Sequence, residues 1–361
     1  MQREAAAVVA VTGAASGAGA AVLAHLARSP RVARAVGIDP GAPPEETEWR
    51  QVDLLDPGLT DAFAGVTAVA HLAVDLTPDA DRAGQRERNT RAAQTVLTAA
   101  FAAGVRRAVV VSSALAYGAY ADNPVPLSDD AALRAVPEAS VVGDLLEVER
   151  IVAAARRIHL GLSVTVLRPA VVLGAGDREP MAALLGAPRL LRIRGAHAHW
   201  QFCHVADLAA AVELAALAPP GELDGPANVA SEGWLDHDEL ERVSGRRSLE
   251  LPERVAVGTA ERLHRLGLTP APPSELAYLV HPWVVDCARL RAAGWRPTRT
   301  NAEAVAEHVA ERAHLERADR ARGVRIDARG ATAAAGAAAG AAVAIVGTAA
   351  LVRRARRRRS G

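Results

Sequence analysis

Three glycines near the start of the chain have the spacing of a phosphate-binding turn. Gly13, Gly17 and Gly19 follow an apolar run at residues 5–11, and apolar residues then recur at helical spacing over residues 20–28. A strand, a glycine turn and a helix N-terminus together offer unpaired N–H groups and partial positive charge to a phosphate. A side chain at Gly17 or Gly19 would block the pyrophosphate or the helix–strand contact. This order predicts a dinucleotide site.

An acidic residue closes a second apolar segment about twenty residues after the glycines. Residues 36–38 read Val-Gly-Ile, and Asp39 follows them. A carboxylate there accepts hydrogen bonds from the 2′-hydroxyl of an adenosine ribose and repels a 2′-phosphate. We therefore expect NAD as the cofactor, preferred over NADP. The alternative is a plain glycine-rich turn in an α/β sheet.

Strand-like and helix-like segments alternate through the first half of the chain. Further strands are predicted at 49–53, 66–73, 105–112 and 163–167, and helices at 86–103 and 141–158. This alternation predicts an α/β fold with a Rossmann-type doubly wound parallel sheet that binds ligands at the carboxyl ends of its strands. We expect an NAD-binding domain over 1–173 and a smaller substrate lobe over 174–325, with some return of the chain to the sheet. Further helices are predicted at 238–244 and 302–322.

Several motifs, in a fixed order, resemble the extended short-chain dehydrogenase/reductases, particularly their nucleotide-sugar epimerase/dehydratase branch. The resemblance runs from about residue 7 to residue 307. It rests on TGAASGAG at 12–19, Asp39, VDL at 52–54, HLA at 71–73, Asn89, SSALAYG at 112–118, LRPAVVLG at 167–174, FCHVADLA at 202–209 and VDCARLRAAGWRP at 285–297. One departure is the loop spacing GxxxGxG, which is nearer to the shorter branch than the GxxGxxG of the extended branch.

The resemblance implies roles for individual residues. It places the pyrophosphate at Gly13, Gly17 and Ala18, the adenosine ribose at Asp39, the adenine at Asp53 and Leu54, the middle of the cofactor at Leu72, Ala73 and Asn89, and the nicotinamide near Pro169 and Ala170, with Gly19 and Ser112 as further cofactor contacts. The family's catalytic serine or threonine falls on Ser113, whose hydroxyl would bond a substrate oxygen. The alternative for Ser113 is a strand-end residue that caps its own backbone.

The residue pair at the centre of the family's chemistry is missing. The family uses Tyr-x-x-x-Lys at the start of the helix after a proline-rich loop, where the lysine ammonium lowers the pKa of the tyrosine for proton exchange. The corresponding positions hold Val141 and Leu145, and the sequence contains no lysine. Of the three tyrosines, Tyr117 is expected to be structural, and Tyr120 is the one that a site would recruit.

Three functions remain open. An intact nucleotide site beside an erased catalytic pair favours a catalytically degenerate protein that binds NAD and a small, nucleotide-linked ligand such as a nucleotide sugar. The first alternative is an active NAD-dependent epimerase/dehydratase or oxidoreductase that uses Ser113 with a substitute acid, namely Tyr120, Asp144 or a bound water. The second alternative is an interaction module with a vestigial nucleotide site.

Three other polar clusters are candidate sites. The set His197, His199, Cys203 and His204 lacks an obvious second ligand group, so no metal site is predicted. The arginines Arg189, Arg192 and Arg194 would either hold a diphosphate or form a solvated basic face. Asp144 and Glu147 are either recruited carboxylates or acids placed at a helix N-terminus by the helix dipole.

The C-terminal tail (331–361) has a composition of its own. Residues 331–352 are uncharged and rich in Ala, Gly and Val, and six arginines follow at 353, 354 and 356–359. A helix of this length would cross a bilayer core of about 30 Å. The alternatives are contact with an anionic membrane surface or a low-complexity extension.

Overall composition limits the classes of partner. The net charge of +1 gives no sign of nucleic-acid binding. Two cysteines cannot form a disulfide framework, and the N-terminus shows no secretory pattern, so the folded part is expected in the cytoplasm, with membrane association through 331–352 as the variant. By the resemblance, a homodimer would pair through the helices at 86–103 and 141–158.

Overall fold

A computed structural model describes residues 7–15, 17–43, 47–76, 81–175, 181–187, 189–219, 221–266 and 272–321. The strands are β1 (Ala7–Thr12), β2 (Val32–Ile38), β3 (Glu48–Arg50), β4 (Ala68–His71), β5 (Arg107–Val111), β6 (Ser163–Pro169), β7 (Val171–Leu173), β8 (Leu190–Ile193), β9 (Phe202–His204), β10 (Gly225–Val229) and β11 (Ser248–Leu251). The α-helices are α1 (Gly17–Arg28), α2 (Arg82–Ala102), α3 (Val141–Ile158), α4 (Ala183–Gly186), α5 (Val205–Leu217), α6 (His237–Ser244), α7 (Glu253–Arg265), α8 (Ala288–Ala292) and α9 (Asn301–Ala321). Short 3₁₀ helices cover Pro57–Phe63, Ala114–Tyr117 and Pro273–Leu279.

Seven of the described strands form one sheet in the order β10-β6-β5-β4-β1-β2-β3. Every pairing in it is parallel, and Thr12 at the end of β1 is in register with Ile38 of β2 and His71 of β4. Parallel neighbours require crossover connections, which α1, α2 and α3 provide in part. The predicted Rossmann-type parallel sheet is confirmed.

Alternation along β1 divides the core between the two faces of the sheet. Val9 and Val11 belong to one buried cluster and Ala10 to the other. Helices α1 and α5 pack together on the first face, and α2 packs with α3 on the second. Because successive strand residues point to opposite faces, one short strand anchors both layers.

The bounds of the elements follow local capping. Helix α3 has the predicted limits, because the Ser140 hydroxyl caps it by accepting a hydrogen bond from the N–H of Gly143 at 3.1 Å. Strand β3 is shorter than the predicted 49–53. Asp53 instead forms a turn in which its Oδ1 accepts from the N–H of Leu55 at 2.9 Å, so this residue cannot continue the strand.

The chain beyond residue 174 also contributes to the sheet. Strand β10 pairs with β6 and forms the edge of the seven-stranded sheet. Strands β7 and β9 form a separate two-stranded sheet, and β8 and β11 form another. The division into 1–173 and 174–325 stays a prediction. The tail at 331–361 lies outside the described residues. No helix in the described part of the chain is long and apolar enough to cross a bilayer.

Candidate functional site

A cleft of about 410 Å³ opens at the carboxyl ends of the central strands. All of the residues predicted to contact cofactor or substrate line it, except Ala170: Gly13, Gly17, Ala18, Gly19, Asp39, Asp53, Leu54, Leu72, Ala73, Asn89, Ser112, Ser113 and Pro169. They come from the ends of β1, β2, β4, β5 and β6, from the turn after β3, from the first turn of α1 and from α2. The parallel topology is what brings them together, because it places every strand's carboxyl end on one edge.

The glycine turn is a cradle with no room for side chains. A Cβ on Gly19 would lie 1.9 Å from the carbonyl oxygen of Gly13. Gly13 has φ +78°, and a Cβ there would lie 2.7 Å from the Cα of Ala73. The first turn of α1 therefore lies against the residue after β1, that residue lies against the loop after β4, and Gly17, Ala18 and Gly19 line the cleft. This arrangement fits a pyrophosphate.

Asp39 lies directly after β2, at the rim of the cleft. Its Oδ1 accepts a hydrogen bond from the N–H of Gly41 at 2.8 Å, and its Oδ2 accepts from the N–H of Ala15 at 3.3 Å. The carboxylate thus bridges the loop after β1 and the loop after β2. Both oxygens retain lone pairs that a ribose hydroxyl can use.

Asn89 on α2 fixes the loop after β4. Its Oδ1 accepts from the N–H of Asp75 at 3.0 Å, and its Nδ2 donates to the carbonyl of Asp75 at 3.1 Å. The same Nδ2 lies 3.4 Å from Oδ2 of Asp144 on α3. Through these bonds α2 holds the loop that carries Leu72 and Ala73.

Two serines follow β5. The Ser113 hydroxyl accepts a hydrogen bond from the N–H of Leu115 at 3.2 Å and caps the 3₁₀ helix Ala114–Tyr117, yet Ser113 also lines the cleft. The structure is therefore compatible with both predictions for Ser113, a hydroxyl that binds substrate and a strand-end residue that caps its own backbone. Ala170, predicted beside the nicotinamide, is buried in the hydrophobic core, while Pro169 remains at the cleft.

Val141 and Leu145, the positions predicted to correspond to the family's tyrosine and lysine, are buried apolar residues at the start of α3. Val141 is 2% exposed and Leu145 is 0% exposed, and Leu145 packs in the main core cluster. Neither is among the described residues that line the cleft. Between them Asp144 is fully buried and its Oδ2 accepts a hydrogen bond from Nη2 of Arg82 at 2.8 Å. Burial raises the pKa of Asp144, and the Arg82 guanidinium partly offsets that rise.

All three phenol hydroxyls are engaged in structural hydrogen bonds. Tyr117 donates to Oδ1 of Asn228 at 2.8 Å, Tyr120 to the carbonyl of Arg134 at 2.7 Å, and Tyr278 to the carbonyl of Leu115 at 2.7 Å. Burial raises the pKa of both Tyr117 and Tyr278. None of the three is among the described residues that line the cleft.

The histidine-rich segment serves structural roles. His199 stacks on Trp234, and His204 caps α5 through a bond from the N–H of Ala206 to its Nδ1 at 3.2 Å. Across the described ranges, no group of three or more His, Cys, Asp or Glu has a metal-binding arrangement.

The predicted arginine cluster and Glu147 make polar contacts away from the cleft. Arg192 of β8 pairs with Asp238 at 2.6 Å, and Arg194, directly after β8, pairs with Glu250 of β11 at 2.8 Å. Arg189 donates to the carbonyl of Ser248. Glu147 pairs with Arg150. These groups are not among the described residues that line the cleft.

The sequence reasoning missed two charged residues of the cleft. Asp75 and Arg88 both line it, along with Pro40, Leu55, Val74, Leu76, Ala92, Val111, Val172, Ala175 and Leu208. The available signal was proximity in sequence, since Asp75 follows Ala73 in the same loop and Arg88 precedes Asn89 on the same helix.

Comparison with known proteins gives the family. The model described as the NAD dependent epimerase/dehydratase family matches residues 9–229. An uncharacterised protein of Mycobacterium tuberculosis (strain ATCC 25618 / H37Rv) is 29% identical over 311 residues, which cover 82% of each chain. A protein of Mycobacterium bovis (strain ATCC BAA-935 / AF2122/97) matches with the same values.

Solved structures agree in fold. MoeE5 in complex with UDP-glucuronic acid and NAD superposes with a TM-score of 0.64 at 23% identity, covering 85% of this chain and 99% of that one. UDP-glucose 4-epimerase of Thermotoga maritima with UDP-glucose has a TM-score of 0.65 at 17% identity, with coverage of 85% and 99%. The resemblance predicted from the motifs is confirmed, and the chain belongs to the NAD dependent epimerase/dehydratase family.

Proposed function

We propose that this chain binds NAD in the cleft and is a catalytically degenerate member of its family, which also holds a nucleotide-linked ligand. The observation that carries the proposal is the contrast between the two halves of the site. The glycines and Asp39 line the cleft, whereas Val141 and Leu145, which the resemblance aligns with the family's tyrosine and lysine, are buried apolar residues.

The cradle supports the cofactor. Gly13, Gly17, Ala18 and Gly19 would hold the pyrophosphate, because a Cβ at Gly19 would fill the space where α1 meets β1. Asp39 would accept a hydrogen bond from the adenosine 2′-hydroxyl and repel a 2′-phosphate, which supports NAD over NADP as the cofactor. When bound, NAD supplies a hydride-exchanging nicotinamide.

The dyad positions support degeneracy. A positioned general acid or base typically contributes about 10²–10⁴ in rate, and valine and leucine exchange no protons. An arginine could supply the positive charge of the lysine, but no tyrosine is among the described residues that line the cleft, so there is no phenol there for such a charge to act on.

The structural neighbours support the second ligand. The solved complexes of MoeE5 contain UDP-glucuronic acid or UDP-glucose together with NAD. A nucleotide sugar is therefore the first class of ligand to test.

An active enzyme is the second candidate, and the position of Ser113 at the cleft favours it. Its substitute acid would have to be Asp144 or a bound water, because Tyr120 donates a hydrogen bond to the carbonyl of Arg134 and is not among the described residues that line the cleft. Asp144 reaches the cleft only through Asn89. The third candidate function is an interaction module with a vestigial nucleotide site.

Two measurements separate these functions. Titration of the full chain with NADH, followed by nicotinamide fluorescence, should saturate. The absence of a saturable signal leaves only the interaction module. The chain with NAD is then mixed with UDP-glucose or UDP-glucuronic acid, and both the reduced-nicotinamide absorption and the nucleotide-sugar products are followed. We expect neither to change.

A growth in absorbance or a new nucleotide sugar that is lost in Ser113→Ala would establish the active enzyme instead. The double variant Val141→Tyr/Leu145→Lys provides the complementary test, and a gain of conversion in it would support the alignment. Because both positions are buried, this variant is also expected to be less stable.

Pairing of two copies through α2 and α3, the cytoplasmic location and membrane contact through 331–352 stay predictions.

A further inference from the structure

The two long helices on one face of the sheet end beside each other in a cluster of exposed apolar side chains. Helix α2 ends at Ala102 and α3 at Ile158. Near these ends Phe101 is 43% exposed, Ile158 is 71% exposed and Leu160 is 88% exposed. The Phe101 ring stacks on His159 with centroids 4.5 Å apart, which joins the two helix ends.

Arginines surround these side chains. Arg106, Arg156 and Arg157 line a depression of about 530 Å³ together with Leu160. All three are exposed, and none makes an ion pair within the described ranges, whereas Arg150 on the same helix α3 pairs with Glu147. We call Phe101, Ile158, Leu160 and these three arginines the basal patch.

Few acids counter this charge. Asp224 lines the same depression, but its carboxylate accepts from the Ser163 hydroxyl and lies 3.6 Å from the buried guanidinium of Arg107. Glu222 is the exposed acid of the neighbouring loop. The basal patch therefore remains positively charged, with an apolar tip.

We propose that the basal patch docks on an anionic phospholipid surface. Exposed Phe, Ile and Leu side chains partition into the boundary between headgroups and acyl chains, and arginines beside them bind lipid phosphates. A second protein is a poorer fit, because a standard interface needs about 20–30 residues on each side and three apolar side chains do not supply its core.

The position of the patch suits this role. It lies where β5 and β6 begin, and the cleft lies where these strands end. Because the strands are parallel, the two surfaces are at opposite edges of the sheet. Docking through the basal patch would leave the cleft open to small molecules in the aqueous phase.

A local probe separates this surface from the tail at 331–361. Leu160→Cys in the full chain is labelled with an environment-sensitive fluorophore, and the native Cys203 and Cys287, at 1% and 4% exposure, stay unlabelled. The matched probe is Leu266→Cys, because Leu266 is 62% exposed and lies beside the exposed arginines Arg262 and Arg265 of α7. Both are titrated with phosphatidylcholine vesicles, with and without phosphatidylglycerol.

We expect a blue shift at position 160 with the phosphatidylglycerol vesicles alone, and none at position 266. In co-sedimentation, Arg156→Gln/Arg157→Gln should weaken vesicle binding by at least about tenfold, since each arginine near an anionic surface contributes about fivefold. Arg262→Gln/Arg265→Gln should bind as the unaltered chain does.

Three results would overturn the proposal. One is a silent probe at position 160 while the protein sediments with vesicles, which would assign the contact to the tail or another surface. Another is equal loss of binding in both arginine pairs, which would indicate general charge attraction. The third is a shift at position 160 without lipid that follows dimer formation in sedimentation velocity, which would make a second copy the occupant.

Discussion

The carbonyl oxygen of Gly13 and the α-carbon of Gly19 are so close that a Cβ on Gly19 would lie 1.9 Å from that oxygen. The contact ties the end of β1 to the first turn of α1 and shapes the part of the cleft where the proposed pyrophosphate would lie. Neither backbone can retreat without moving the strand or the helix.

Gly19→Ala tests this contact. We expect the added methyl group to displace α1, to lower the free energy of unfolding by about 1–3 kcal/mol, and to weaken NADH binding by at least about tenfold. Urea unfolding and fluorescence titration measure the two effects. The matched change is Gly258→Ala in α7, where a Cβ meets nothing within 4 Å, and it should raise helix stability by about 0.5–1 kcal/mol. Unchanged NADH binding in Gly19→Ala would contradict the placement of the pyrophosphate at this turn.

The charge of Asp39 is expected to select the cofactor. Asp39→Asn keeps the size of the side chain but removes the repulsion of a 2′-phosphate, so the ratio of NADP to NAD affinity should rise by at least about tenfold. Competition against NADH measures that ratio. Asp61→Asn removes the same charge from an exposed position outside the cleft lining and should leave the ratio unchanged. A constant ratio in both variants would refute the role of Asp39.

The buried ion pair between Arg168 and Glu149 joins β6 to α3. Nε and Nη2 of Arg168 donate to the two carboxylate oxygens at 2.8 and 2.9 Å, and the side chains are 7% and 6% exposed. Glu149→Ala leaves the guanidinium buried without its counter-charge, so we expect a loss of about 3–5 kcal/mol in urea unfolding.

Two variants provide the comparison. Glu149→Leu/Arg168→Met removes both charges, so its free energy of unfolding should be closer to that of the unaltered chain than the value for Glu149→Ala is. Glu147→Ala breaks the surface pair with Arg150, which is 70% exposed, and should cost far less stability than Glu149→Ala. Equal losses in Glu149→Ala and Glu147→Ala would contradict the assignment of Glu149 as a buried partner.

Glu275 should make stability fall as the pH rises. Burial raises its pKa to about 8, Glu138 adds to the rise, and Ser140 and Arg82 oppose it. The unfolded chain releases this proton near pH 4.3, so between about pH 4.3 and 8 the folded state binds one more proton than the unfolded state. The free energy of unfolding therefore decreases with pH across that window.

Glu275→Gln should remove this decrease. The free energy of unfolding of this variant should exceed that of the unaltered chain by an amount that grows from pH 5 to pH 8, to the order of a few kcal/mol. The reason is that the neutral amide has no proton to release. Urea unfolding at several pH values gives the profile, and Glu261→Gln at an exposed position of α7 is the control. A constant difference between Glu275→Gln and the unaltered chain at all pH values would show that Glu275 titrates alike in both states.

Much of the cleft could be predicted because its residues are marked by local patterns. Gly13 directly follows β1 and Gly19 lies in the first turn of α1, while Asp39 directly follows β2 and Ser113 is the second residue after β5. Parallel strands bring such ends to one edge. Ala170 shows the limit of this reasoning, because adjacent residues of an extended chain point in opposite directions. Pro169 faces the cleft, and Ala170 is buried.

The sequence by itself determined the order of strands and helices as far as β6, the glycine turn with its acid, and the apolar residues Val141 and Leu145 at the start of α3. These depend on residue type, on periodicity and on capping groups a few residues away, such as Ser140 at the start of α3.

Tertiary structure decided which distant groups meet. Three contacts join residues that are far apart in the chain or on different elements. They are the pairing of β10 with β6 at the end of the sheet, the hydrogen bond from Tyr117 to Asn228, and the ion pair of Arg168 with Glu149. Their partners are selected by packing and by the need to satisfy buried polar groups, and no local pattern encodes that choice. The exposure of Leu160 was decided in the same way, because no described element covers the ends of α2 and α3 at that point.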